Sequence, residues 1–133
     1  MKNFKLNEKN ILSNQDWTFP TTTYYGPGRF NEIGKFCEEF DIKNPLIVTD
    51  SGSKDLPFIK KLIALLSKNS IKSDLFYNIS PNPRDDEISK GCDQFKNGSH
   101  DSIIAIGGGS AMDGGKSICC LLYTSDAADD WFC

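Results

Sequence analysis

The stretch DSIIAIGGGSAMDGGKSI, Asp101 to Ile118, constrains this chain more than any other. Ser102 to Ile106 is an apolar run without polar alternation, the pattern of a strand covered on both faces, and it leads directly into Gly107, Gly108 and Gly109. A helix-forming segment follows. Ligands of open α/β sheets bind beyond the carboxyl ends of the strands, and three residues without side chains at such an end let an anion approach the backbone. Ser110 is placed to cap the next helix, whose exposed N–H groups and positive dipole end favour phosphate or pyrophosphate. Two better-known loops fail by one position each: a GxGxxG loop needs glycine where Met112 stands, and a Walker A loop ending at Gly115-Lys116-Ser117 needs glycine where Ser110 stands.

Upstream, strand and helix patterns alternate. Phe19 to Gly26 has strand composition and ends in the turn formers Gly26, Pro27 and Gly28, and Phe30, Ile33, Cys37 and Phe40 recur at helical spacing. Leu46 to Thr49 is a second buried strand pattern. Asp55 is expected to cap a helix with Pro57 in its first turn and an apolar face running from Phe58 to Leu66. Asp74 to Asn78 is the next expected strand. After Pro81 and Pro83, the acids Asp85, Asp86 and Glu87 open a helix buried along Ile88, Cys92 and Phe95, with Asn97-Gly98 as its expected left-handed stop. The alternation predicts an α/β fold with an open parallel sheet and helices on both faces.

With 133 residues, a formal charge of -3 and scattered basic residues, the chain fits one domain and shows no nucleic-acid footprint. No apolar run approaches membrane-spanning length, and Met1 to Gln15 lacks the apolar segment of a secretory signal, so a cytoplasmic location is expected. Five cysteines without CxxC spacing suggest neither a disulfide framework nor a zinc site; Cys37 and Cys92 fall on apolar stripes and read as core. His100, the one histidine, is expected in a solvated turn before the last strand. Asp50, in VTDSG, ends a strand. A carboxylate there can accept from both hydroxyls of an adenosine ribose or can serve as a turn residue ahead of Gly52, and the residues leave both readings open.

FPTTTYYGPG, LIVTDSG, SPNP and DSIIAIGGGSAMDGGKSI together resemble the iron-containing (group III) alcohol dehydrogenase family over about Phe19 to Ile118. The GGGSxxDxxK pattern carries most of that resemblance, with Asp113 and Lys116 at its offsets and Gly115 in place of the alanine usual before the lysine. The resemblance implies a Rossmann-like dinucleotide-binding domain followed, in the family, by a helical domain holding a divalent metal, usually iron. It implies NAD as cofactor, with Asp50 on the adenosine ribose, Asn82 lining the cleft and Gly107, Gly108, Gly109 and Ser110 on the pyrophosphate. Asp113 and Lys116 match the motif without an assigned step. No catalytic residue and no metal ligand of the family is matched. The implied activity is oxidoreduction of a small-molecule alcohol and its aldehyde or ketone, in a homo-oligomer.

Glycerol dehydrogenase and dehydroquinate synthase share the fold implied, and a non-catalytic nucleotide-binding module is the alternative from another class. Residues 1–18 read as a polar leader and 19–119 as a truncated dinucleotide-binding domain. Cys120 to Asp130 resembles one translated frame of a sequencing-library adapter, so 120–133 is expected to be non-native, with the metal-binding helical domain absent.

Overall fold

The computed structural model describes residues 14–18 and 21–126. Strands β1 (Gln15–Thr18) and β2 (Thr22–Tyr25) pair antiparallel, with Gln15 opposite Tyr25 and Thr18 opposite Thr22. The strand read from Phe19 to Gly26 is thus shorter, and its partner lies inside the segment read as a leader. A 3-10 turn (Arg29–Glu32) leads into α1 (Ile33–Glu39). Then β3 (Pro45–Asp50), α2 (Pro57–Lys68), β4 (Asp74–Ile79), α3 (Asp85–Asn97), β5 (Ser102–Ala105) and α4 (Gly109–Asp126) follow in strict alternation.

The second sheet is parallel, in the order β4-β3-β5. Its central strand is buried from Pro45 to Thr49, which is why the run Leu46 to Thr49 carries no polar alternation. The two faces sort by residue parity. Leu46 and Val48 join Phe76, Ile88, Cys92 and Ile118 beneath α3 and α4, while Ile47 joins Cys37, Leu62 and Leu66 beneath α1 and α2. Helices therefore cover both faces, as the alternation predicts.

Close seating fixes α4. A methyl on Gly115 would lie 2.6 Å from Cβ of Ala105, and one on Gly114 would lie 3.0 Å from Cδ1 of Ile79. The glycine that departs from the family's alanine thus occupies a helix-to-strand contact too tight for a side chain unless β5 shifts.

Two expected caps differ. Asp55 does not cap α2: Leu56 holds that position without a side-chain hydrogen bond, and Pro57 is the first helical residue. Gly98 is not the left-handed stop of α3; it has φ -85°, and Ser99 takes φ 51°. The shift brings His100 onto Phe95, with ring centroids 6.0 Å apart, and buries the imidazole completely. His100 is accordingly packed rather than solvated. Its Nδ1 lies 3.0 Å from the Asn44 carbonyl and its Nε2 lies 3.2 Å from an Asp74 carboxylate oxygen, both at the amino edge of the sheet.

Candidate cofactor site

The carboxyl edge of the parallel sheet gathers three loops, because parallel strands all end on the same side. Hydrogen bonds tie the strand ends to one another. Ser51 N–H donates to the Ile79 carbonyl at 3.0 Å, the buried Thr49 hydroxyl donates to the Ile106 carbonyl at 2.7 Å, and Ile106 N–H donates to the Val48 carbonyl at 2.9 Å.

Gly107 turns the chain out of β5 with φ 140°, a conformation that L side chains rarely adopt. A methyl there would also lie 2.8 Å from Cβ of Ala111 and 3.1 Å from Oδ2 of Asp50. Geometry and space both require glycine, and the close approach sets the turn against Asp50. Gly108 and Gly109 are exposed, with no atom of the surroundings within 4 Å of where a side chain would begin. Met112 N–H donates to the Gly108 carbonyl at 3.1 Å, so the N–H groups of Gly109, Ser110 and Ala111 have no acceptor within the helix. The end of an 18-residue helix thus opens onto bare backbone, an arrangement that suits an anion.

Ser110 does not cap α4. It is the second helical residue, and its hydroxyl donates to the Pro81 carbonyl at 2.9 Å, joining the β4-α3 loop to the glycine turn. That loop carries Asn82, which is exposed. The Asn82 carbonyl accepts from the Ser80 hydroxyl at 2.8 Å, and its side-chain amide has no hydrogen-bond partner among the described residues. Glu87 organises the loop. Its carboxylate accepts from Arg84 N–H at 3.0 Å and from the Ser80 hydroxyl at 3.0 Å, and these bonds, the Arg84 amide foremost, hold it below the usual carboxylate range against the opposing effect of burial.

Asp50 sits half-buried at the end of β3. Its Oδ2 accepts from the Ser53 hydroxyl at 2.9 Å, and its carbonyl accepts from Ser53 N–H at 3.1 Å, closing a turn. Asp113 and Lys116 lie farther along α4, four and seven residues past Gly109, hence about 6 and 10 Å down the helix on the stripe that begins at that glycine. Both are exposed, and neither makes an ion pair or hydrogen bond with a described residue.

The structure therefore brings Asp50, Gly107, Gly108, Gly109, Ser110 and the loop bearing Asn82 to one edge, and leaves Asp113 and Lys116 along the adjoining helix. Sequence reasoning missed Ser53 and Thr49 and read Glu87 only as a dipole partner. The Asp-x-x-Ser spacing from Asp50 and the glutamate three residues after Arg84 were usable turn and capping signals; nothing marked Thr49. Burial raises the thiols of Cys37, Cys92 and Cys119, which keeps them protonated within the packed layers. Among the described residues no group of three or more histidines, cysteines or acids is placed to hold a metal ion. A divalent metal does not fit this donor set, whereas a dinucleotide fits the open turn with its neighbouring carboxylate.

Comparison with known proteins agrees with this geometry. The family profile described as iron-containing alcohol dehydrogenase matches residues 20–132. Alcohol dehydrogenase 4 of Schizosaccharomyces pombe is 36% identical over 112 residues, covering 84% of this chain and 26% of that protein. NADH-dependent butanol dehydrogenase A of Clostridium acetobutylicum is 32% identical over 117 residues, covering 87% of this chain and 29% of its own. The crystal structure of a 1,3-propanediol oxidoreductase superposes with a TM-score of 0.72 at 25% identity, over 91% of this chain and 30% of that one. The chain spans between a quarter and a third of the length of these relatives. With the glycine turn, the parallel sheet and the matched profile in agreement, the chain belongs to the iron-containing alcohol dehydrogenase family.

Proposed function

We propose that this chain is the cofactor-holding part of an NAD-dependent, metal-containing oxidoreductase that interconverts an alcohol and its aldehyde or ketone by hydride transfer. One observation carries the reading: the bare backbone of Gly108 and Gly109 opens the N-terminus of α4 beside the Asp50 carboxylate. The pyrophosphate would lie against the N–H groups of Gly109, Ser110 and Ala111, where a helix end stabilises negative charge. Asp50 would accept from the adenosine ribose, and the unpartnered amide of Asn82 would border the same cleft. Asp113 and Lys116 would flank the cofactor along α4, with no chemical step assigned to either.

The relative named as NADH-dependent supports the choice of nicotinamide cofactor, and family membership supports an alcohol or aldehyde as the other substrate. In the proposed organisation residues 19–119 form the dinucleotide-binding unit, 1–18 precede it, and 120–133 stand outside the native unit. The family's metal would be held by residues beyond those described here. This chain alone is proposed to be inactive, and a homo-oligomer in the cytoplasm is the proposed setting of the whole enzyme. No described helix is long and apolar enough to cross a membrane.

The test is calorimetric titration of the chain with NAD and with NADP. A 2′-phosphate brought against Asp50 places like charges together in a partly desolvated cleft, so NAD should bind more tightly. Asp50→Gly should weaken NAD by roughly tenfold, the value of a hydrogen bond to a charged acceptor, while NADP gains or holds. Equal affinities in the unmutated chain would count against the assignment.

A further inference from the structure

We propose that Ser53 is a positioning residue for cofactor choice: it holds the Asp50 carboxylate so that one oxygen remains free for an unsubstituted ribose 2′-hydroxyl. The inference rests on the ribose role proposed for Asp50. An aspartate at a strand end has two side-chain torsions, and a carboxylate that rotates freely does not discriminate between a hydroxyl and a phosphate by direction.

Here the rotation is restrained by a hydrogen bond and by a close backbone approach. Ser53 Oγ donates to Oδ2 at 2.9 Å, and because Ser53 N–H also binds the Asp50 carbonyl at 3.1 Å, the backbone turn delivers that hydroxyl. Gly107 also passes close to that oxygen: a methyl there would stand 3.1 Å from the same Oδ2 and 3.3 Å from the Thr49 hydroxyl oxygen. The remaining oxygen, Oδ1, has no hydrogen-bond donor among the described residues and lies 3.2 Å from where a side chain on Gly52 would begin. One oxygen is anchored, and the other keeps its lone pairs for a ligand donor at a spot that Gly52 leaves uncovered. The ligand class that fits is an adenosine ribose with both hydroxyls free.

The experiment measures binding of ADP-ribose and of its 2′-phosphate to the 133-residue chain, unmutated and as Ser53→Ala, Ser53→Thr, Asp50→Gly and the double variant, with folding checked by circular dichroism. Ser53→Ala is expected to weaken ADP-ribose by about three- to tenfold, part of the value of the hydrogen bond to a charged acceptor that positions Asp50. It should leave the 2′-phosphate unchanged or improved. Ser53→Thr should restore the unmutated selectivity, and Ser53→Ala should add nothing once Asp50 is glycine. A purely structural serine would weaken both ligands alike, and that result would overturn the proposal. If Asp50→Gly lowers ADP-ribose binding and Ser53→Ala does not, Asp50 keeps its role and Ser53 loses the one proposed. If Asp50→Gly has no effect, the ribose role of Asp50 fails and this inference with it. Should Ser53→Ala not fold, Gly52→Ala replaces it. A methyl beside Oδ1 is expected to reduce ADP-ribose affinity several-fold, and unchanged affinity would refute the free-oxygen geometry.

Discussion

Asp101 and Glu87 show how single carboxylates gather several loop donors at one point. Asp101 joins the start of β5 to the approach of β3, with Oδ2 accepting from the N–H groups of Lys43 at 2.7 Å and Asn44 at 3.0 Å and Oδ1 accepting from the Ser102 hydroxyl at 2.9 Å. Burial pushes its pKa upward, but these bonds outweigh that effect and leave it below the ordinary value of 3.8; Glu87 likewise lies below its ordinary 4.5. A carboxyl with a lower pKa in the folded state contributes stability that is complete above its unfolded value and lost as pH falls through its folded value. The urea midpoint should therefore hold down to about pH 5 and decline below it, and Asp101→Asn should lower the midpoint at pH 7 while flattening the decline. A decline equally steep in that variant would mean that other groups carry it. At this scale Asp50 and Gly107 were legible because strand-end position and glycine content are local signals. Ser110 was legible as a site residue but not as a tether, since its acceptor, the Pro81 carbonyl, lies 29 residues away in the chain.

The helices α1, α2 and α3 share one kind of ending. Each closes with a left-handed residue that is not glycine, Asp41 at φ 54°, Ser70 at φ 58° and Ser99 at φ 51°. In each, the next residue donates its N–H back five positions: Ile42 to Cys37 at 2.7 Å, Ile71 to Leu66 at 3.0 Å and His100 to Phe95 at 3.1 Å. This double-bonded ending turns the chain inward, so that Ile42, Ile71 and His100 pack beneath the helices they follow. The left-handed conformation suits glycine better than serine or aspartate. Ser70→Gly and Ser99→Gly should each stabilise the fold by about 0.5 kcal/mol, the residue strain relieved less the chain entropy added. Urea midpoints would show it, and a loss of stability in either variant would contradict the account. The stop of α3 was misplaced because Gly98 is the conspicuous glycine, whereas the register follows from burying His100, which no local pattern reveals.

For the molecule as a whole, alternation and the apolar runs foretold a parallel sheet with helices on both faces. They did not foretell the order β4-β3-β5, which depends on which strand is most fully covered, nor the pairing of β1 with β2 across a polar segment. The boundary proposed at Cys120 can be tested at this scale. Helix α4 continues to Asp126, and Leu122, partly buried, packs against the cluster around Val48 and Ile118. Deleting residues 120–133 removes that contact, and if the segment lies outside the native unit the cost should stay below about 1 kcal/mol, less than the burial of one whole leucine. A larger loss in the urea midpoint would make the segment native structure.

The tight seating of α4 against Ala105 and Ile79 bears on the speed of encounter as well as on its strength. A helix that cannot roll or slide without driving backbone into its neighbours presents its amides already in place, so an arriving anion waits for no rearrangement of the protein. Association should then be governed by diffusion and by the ligand's own flexing. Rates measured by stopped flow would slow in proportion to added viscosity, and widening the seat with Ala105→Gly, which lets the helix shift, should slow association and weaken that viscosity dependence.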